Sequence, residues 1–276
     1  MAGDTGDERR IMNKATQAQW DAFSNEYFGR EGEEYRITLQ RIIESPVRAF
    51  PRETWAMLHE AFPDLAGKKV LVPSCGDSYA VFGFHLLGAD VTAADLSSQQ
   101  IKNARHRAEE QGWDIPFAQA DSMTLEGLPD DTYDLVYTSN GAHVWIRDLA
   151  MMYESFRRVL KPGGMYIFFE VHPFHRPFKQ GKRLKVVKPY TAVEEGKYHW
   201  RVEDFVRALL GAGFTVRDFR ELMPHEDDLM PYAWQYKSYK VREKDKYAKY
   251  DWRKFPAAAL PAWLGIRAVK NERSIT

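Results

Sequence analysis

Cysteine is almost missing from this chain, which holds only Cys75. An internal disulfide framework is therefore excluded, and a reducing compartment, the cytoplasm, is expected. No stretch approaches the roughly 18 consecutive apolar residues that a membrane-spanning helix needs. Net charge is absent as well: 39 Lys and Arg balance 39 Asp and Glu. Whole-chain charge thus gives no pull toward nucleic acid or membrane, and neither is expected as a partner. The polar start, MAGDTGDERR, has no apolar segment behind it, so no secretory leader is expected. Internal repeats and long low-complexity tracts are also lacking. What is present is a chain of 276 residues, 44% hydrophobic and 14% aromatic, enough to bury one large core without a second full domain.

Hydrophobic spacing divides the chain. Trp20, Phe23 and Tyr27 recur at helical intervals, and helices are predicted over 17–28, 35–43 and 52–62. These precede any strand, so residues 1–64 are expected to form an N-terminal helical cap or lid. From residue 65 onward strands alternate with helices. Strands are predicted over 70–73, 91–95, 115–119, 133–138, 165–171, 214–219 and 263–269, and helices over 79–87, 97–111, 146–160 and 202–210. That alternation means an α/β fold with a mostly parallel sheet and right-handed crossovers. Two insertions, at about 173–199 and 223–261, break the rhythm. Long insertions on a rigid sheet carry specificity or a lid, or are disordered. The basic run from Lys237 to Lys254 is a solvated face or an attraction for an anionic substrate.

The turn after the first strand reads Pro73-Ser74-Cys75-Gly76-Asp77-Ser78. In open parallel sheets the ligand sits beyond the carboxyl ends of the strands, where strand order reverses. A dinucleotide needs G-x-G-x-x-G there, and a nucleoside triphosphate needs G-x-x-x-x-G-K-[ST]. Neither is present, so the expected ligand is a nucleoside without a phosphate chain, passing over Gly76. Asp95 ends the second strand and can accept both ribose hydroxyls. Asp121 follows the third strand, where it can accept from an adenine amine while Met123 covers the ring; it is also a residue type common in turns.

Together VLVPSCGDS, VTAADLS, FAQADSM, YDLVYTSNGAHVW, RRVLKPGGMYIFFEV and FVRALLGAGFTVRDF resemble the class I S-adenosylmethionine-dependent methyltransferases, over Lys69 to Phe219 and again at Leu264 to Lys270. The TSNGAHVWIRDL and FFEVHP segments resemble a bacterial branch of small-molecule enzymes. The resemblance implies a Rossmann-like, mostly parallel seven-stranded sheet whose last strand is antiparallel. It implies S-adenosylmethionine as cofactor, held by Pro73, Ser74, Cys75, Gly76 and Asp77. Further cofactor contacts are expected from Asp95, Leu96 and Gln100, from Asp121, Ser122 and Met123, and from Ser139 and Asn140, with Tyr27 closing over them. Two departures stand out. The family usually has an acidic residue where Val72 stands, and glycines where Ser74 and Ser78 stand. Serine costs little where φ is negative, so a less strained turn is expected.

The implied activity is methylation of a small molecule at O, N or S by in-line displacement. Alternatives are an RNA methyltransferase, or a cofactor-binding protein without transfer. The leaving group is already cationic, so alignment does most of the work. His143 can take a proton near neutral pH. Glu170 and His172, two apart at the end of a strand, are expected to share a face as a base and its orienting carboxylate. These three are the catalytic candidates. The spacing supports no metal site. Tyr198, His199 and Trp200, with Tyr232, Trp234 and Tyr236, supply an apolar or planar substrate pocket, or simply core. The oligomeric state is left open.

Overall fold

Alternation along the strands decides the layers. In β1 (Lys69–Val72), Val70 and Val72 join one buried cluster and Leu71 the other. β5 (Leu160–Val171) does the same, with Ile167, Phe169 and Val171 on one face and Tyr166 and Phe168 on the other. A sheet with two apolar faces must be covered by helices on both. This computed structural model describes residues 14–25, 32–139, 141–179, 184–192, 197–223, 251–254 and 256–271.

In chain order the elements begin with helices α1 (14–25), α2 (Gly32–Glu44) and α3 (Arg52–Ala61). After β1 come α4 (Tyr79–Leu86), β2 (Asp90–Asp95), α5 (Ser98–Glu110) and β3 (Phe117–Gln119). β4 (Tyr133–Thr138), α6 (Leu149–Val159) and β5 follow, then a small hairpin, β6 (Phe178–Lys179) and β7 (Lys185–Val186). The chain closes with α7 (Val202–Gly211), β8 (Phe214–Leu222) and β9 (Trp263–Lys270). The main sheet has seven strands in the order β3-β2-β1-β4-β5-β9-β8. β9 runs antiparallel to both of its neighbours, and the pairings from β3 to β5 are parallel. This is the Rossmann-like, mostly parallel seven-stranded sheet with an antiparallel last strand that the resemblance implied. Strand order reverses between β1 and β4, which opens the crevice at their carboxyl ends.

Helices α4 and α5 cover one face and α6 and α7 the other. α2 and α3 share the first of these cores through Tyr35, Leu39, Ile42 and Leu58, so they are built into the sheet's own packing. The approach is closest at Gly83 of α4. A Cβ there would stand 2.5 Å from the Cβ of Ala49 and 3.2 Å from the Phe50 ring. Gly83→Ala is expected to destabilise the fold by about 1–3 kcal/mol through overpacking. The check is a lower urea midpoint at unchanged slope.

Boundaries differ from the sequence reading at several points. α6 begins at Leu149, not 146, because Asp148 caps it and accepts the Met151 N–H at 3.0 Å. β5 begins at Leu160, so Lys161-Pro162-Gly163-Gly164 is an irregular start of the strand, with a register shift against β4 between Tyr133 and Leu135. The insertion after β5 carries the β6–β7 hairpin. Most of the second insertion, with Tyr232, Trp234 and Tyr236, lies outside the described residues.

Candidate active site

The turn after β1 is strained. Ser74, Gly76 and Ser78 have φ of 51°, 50° and 66°. The expectation of negative φ at the two serines is therefore corrected. The turn needs left-handed backbone at all three positions, and serines stand where glycine is cheapest. Local bonds hold them there. The Ser74 and Ser122 hydroxyls lie 2.8 Å apart, and the Ser78 N–H donates to the Cys75 carbonyl at 2.8 Å. Ser78→Ala and Ser78→Gly both lose the hydroxyl, but only alanine keeps the strain. The glycine variant is expected to be the more stable by about 1 kcal/mol in urea denaturation. Cys75 is buried, its N–H bonded to the Ala94 carbonyl at 3.0 Å. Burial pushes its thiol up, and the Asp95 charge adds to this.

Asp95 sits at the end of β2, half-buried. Its Oδ2 accepts the Gly76 N–H at 3.1 Å and its Oδ1 the Ser97 N–H at 2.9 Å. Burial raises its pKa, and the charge of Asp21 adds to the rise, against the lowering by those two N–H groups. A carboxylate oxygen accepts more than one donor, so each keeps capacity for a hydroxyl in the crevice. Asp77 is tied into the same turn. Its Oδ1 accepts the Tyr79 N–H at 3.3 Å, and its carbonyl accepts the Tyr35 hydroxyl at 2.9 Å.

Beyond β3, Asp121 Oδ1 accepts the Met123 N–H at 2.9 Å, and the Asp121 carbonyl accepts from Thr124 and Leu125. It closes a turn, the second of the roles its residue type allowed. Met123 packs in the core on the α6 side and is 5% exposed. Pro73 is buried at the end of β1, and Leu96, Gln100 and Ser139 are half-buried. Tyr27 and Asn140 lie outside the described residues.

The loop after β4 is organised by Glu170 of β5. This carboxylate is 2% exposed. It accepts backbone N–H groups from Gly141 at 2.9 Å, His143 at 3.3 Å and Val171 at 2.8 Å, and the His143 Nδ1 lies 3.2 Å away. Burial pushes the Glu170 carboxyl up. The His143 hydrogen bond and charge, the Arg176 charge and the Gly141 N–H outweigh it and hold the carboxyl below its ordinary range. On its other side, His143 Nε2 lies 3.2 Å from the Tyr166 hydroxyl, which lies 2.8 Å from Thr138 Oγ1. Thr138, Tyr166, His143 and Glu170 thus form one buried hydrogen-bonded chain. Phe168 and Phe205 wall the ring, at centroid distances of 4.7 and 5.0 Å.

His172 was expected to pair with Glu170; in the structure the partner of Glu170 is His143. His172 Nδ1 instead accepts the Phe174 N–H at 3.3 Å, and its Nε2 lies 3.1 Å from Glu221, without hydrogen-bond alignment. Burial lowers its pKa against the pull of Glu221. The strand ends at Val171, so the period of two does not carry His172 onto the Glu170 face. His175 donates from Nε2 to the Pro261 carbonyl at 2.7 Å, and burial pushes its pKa down to about 4.

Sequence reasoning missed Asp21. From α1 it accepts the Ser97 hydroxyl at 2.6 Å and the Gln99 N–H at 3.1 Å, at the start of α5. Burial raises the Asp21 pKa, but these bonds outweigh it and leave the carboxyl lowered. Next to it, Trp20 meets Trp145 edge to face at 5.1 Å. α1 thus bridges the segment after β2 and the segment after β4. Nothing in the spacing of an aspartate on an amphipathic helix signals such a contact. Ahead of α7, the Trp200 indole donates to the Ile146 carbonyl at 2.9 Å and the Tyr198 N–H to the Val144 carbonyl at 2.8 Å. Among the described residues no group of three His, Cys, Asp or Glu is arranged to hold a metal ion.

A mostly parallel sheet with this strand order, a carboxylate at the end of β2 and a crevice at the β1/β4 reversal is the arrangement of open α/β proteins that bind a ligand at the switch point. The family profile described as "Methyltransferase domain" matches residues 70–164. Sterol 24-C-methyltransferase ERG6B of Gibberella zeae is 27% identical over 61% of this chain and 45% of its own length. The chain thus spans under half of that relative. Demethylmenaquinone methyltransferase of Thermus thermophilus is 30% identical, over 53% of this chain and 73% of its own. The crystal structure of an S-adenosylmethionine-dependent methyltransferase from Mesorhizobium loti superposes with a TM-score of 0.59, at 23% identity, over 78% of this chain and 96% of that one. The chain belongs to the class I S-adenosylmethionine-dependent methyltransferases.

The residues fit that cofactor. A Cβ built on Gly76 meets nothing nearer than the Ser74 carbonyl oxygen at 4.0 Å, so backbone there is open to a ligand. Asp95 presents a fixed carboxylate beside it.

Proposed function

We propose that this protein is an enzyme that moves a methyl group from S-adenosylmethionine to an O, N or S atom of a small molecule. The observation that carries the reading is Asp95, clamped by the N–H groups of Gly76 and Ser97 beside the open backbone of Gly76. Asp95 would hold the ribose hydroxyls, with the Pro73–Asp77 turn and the Asp121–Ser122 segment bordering the rest of the nucleoside. When bound, the cofactor supplies a sulfonium methyl whose leaving group needs no acid. The chain's own part is alignment.

Glu170 and His143 act in this reading as positioning residues. Both ring nitrogens of His143 are engaged inside the protein, and the group is 1% exposed. They hold the loop after β4 against the crevice without touching substrate. His172, equally buried, caps the turn at Pro173. α1 serves as the lid, with Asp21 and Trp20 its two attachments. The two relatives named for a sterol and for demethylmenaquinone support a small, apolar acceptor. Free, buried Cys75 fits a reducing compartment, and we place the protein in the cytoplasm.

Calorimetry with S-adenosylmethionine and its demethylated product tests the first half; no affinity for either ends the reading. A methyl-transfer screen over phenols, amines, thiols and, given the C-methyltransferase relative, alkenes tests the second. Val72, apolar at the end of β1 where the family usually has an acid, favours a second reading: cofactor binding without transfer. Affinity without product in the screen would select it.

A further inference from the structure

The β6–β7 hairpin does not belong to the crevice, and its surface is unusual. Across the ribbon, Phe178 faces Val186 and Lys179 faces Lys185. One face of the hairpin is therefore apolar and the other cationic. Lys179 and Lys185 are exposed and make no ion pair among the described residues, although like charges directly opposite each other destabilise a strand pair. The apolar residues are as exposed: Val186 is 63% accessible and Leu184, two residues before it, 37%, while Val187, just past the end of β7, is 55% accessible. Phe174, at the root of the hairpin, is 45% accessible. A two-stranded ribbon is marginal in water even without such a surface.

The surrounding sequence extends the pattern. From Val171 to Val193 the cations are Arg176, Lys179, Lys182, Arg183, Lys185 and Lys188, and no Asp or Glu occurs. The charge balance of the whole chain hides this local excess.

We propose that the hairpin docks the protein on an anionic lipid surface. Lysines meeting headgroup phosphates relieve the cross-strand repulsion, and the exposed valines and leucine enter the headgroup–acyl boundary. Single-stranded nucleic acid fits less well, because bases need aromatic platforms and the most exposed apolar residue of the ribbon, Val186, is aliphatic. The hairpin follows the carboxyl end of β5, the edge on which the crevice opens, after one short turn at Pro173–His175. It is anchored at its far end by Tyr190, whose ring lies 5.5 Å from Phe174 and whose hydroxyl accepts the Val202 N–H at 3.1 Å. Docked this way, the protein turns the edge that carries the crevice toward the bilayer. The docking itself does not depend on the methyl-transfer reading.

The test is co-sedimentation of the full chain with vesicles of phosphatidylcholine alone or mixed with phosphatidylglycerol, at low and high salt. The expected result is at least about ten-fold stronger partition onto the anionic vesicles, weakened by salt. Lys179→Glu with Lys185→Glu replaces one like-charge pair by another, so hairpin stability is matched, and partition should fall about ten-fold or more. Val186→Ser with Val187→Ser should lower it several-fold at both salt levels. Circular dichroism and S-adenosylmethionine affinity of both variants should match the parent. Absence of vesicle binding, binding indifferent to both variants, or tighter binding of a single-stranded oligonucleotide than of anionic vesicles would overturn the proposal.

Discussion

Glu170→Ala is expected to destabilise the fold by about 3–5 kcal/mol, at the upper end of single substitutions. The carboxylate is buried and collects N–H groups from Gly141, His143 and Val171 together with the His143 ring. Alanine leaves those donors without an acceptor in a site closed to water, and each orphan costs about 1–3 kcal/mol. Glu170→Gln keeps an acceptor oxygen but turns an NH2 toward other donors, so an intermediate loss is expected. The pH profile separates this role from simple packing. The folded-state pKa of Glu170 lies below its ordinary 4.5, so its stabilisation is complete above pH 4.5 and is lost as pH falls through the lower folded value. Denaturation midpoints measured from pH 7 to pH 3 should fall less steeply in Glu170→Gln than in the parent. Parallel profiles would remove Glu170 from the organising role. If the loop after β4 is the wall against which substrate is aligned, kcat should fall further than KM rises in the same variant.

Asp95→Ala should weaken S-adenosylmethionine binding by about 1.5–3 kcal/mol, on the order of ten- to a hundred-fold in Kd. Its two oxygens are already oriented by the N–H groups of Gly76 and Ser97, so the parent orders no carboxylate on binding. Asp95→Asn retains one acceptor oxygen and should lie between the two. Titration calorimetry reads the affinity, and a urea midpoint in the same buffer shows whether the turn after β1 has stayed folded. Unchanged affinity in a folded variant would move the ribose contact elsewhere. Asp21 is the instructive comparison. It lies close enough to raise the Asp95 pKa, yet it caps α5. Asp21→Asn should loosen α1 while leaving the Asp95 clamp intact.

Local patterns in the sequence were enough for the alternating strands and helices, while the seven-stranded sheet with its antiparallel last strand was legible only through the family resemblance. Periods of two and 3.6 in apolar residues, glycines past helix ends and Ser97 at the head of α5 are written within a few residues of one another. The missing phosphate motifs and the carboxylate at Asp95 narrowed the ligand for the same reason. Tertiary structure decided the rest. The pairing of Glu170 with His143 rather than His172 depends on where β5 stops and on the loop from β4 folding back 29 residues away in sequence. The reach of Asp21 to Ser97 spans 76 residues. The left-handed serines of the turn contradict their residue type and are held by Ser122 and by the helix that follows. Apart from the local bonds of Ser78, each is a contact between segments distant along the chain, and no local spacing encodes it, because only packing of the whole sheet brings those atoms within hydrogen-bond range.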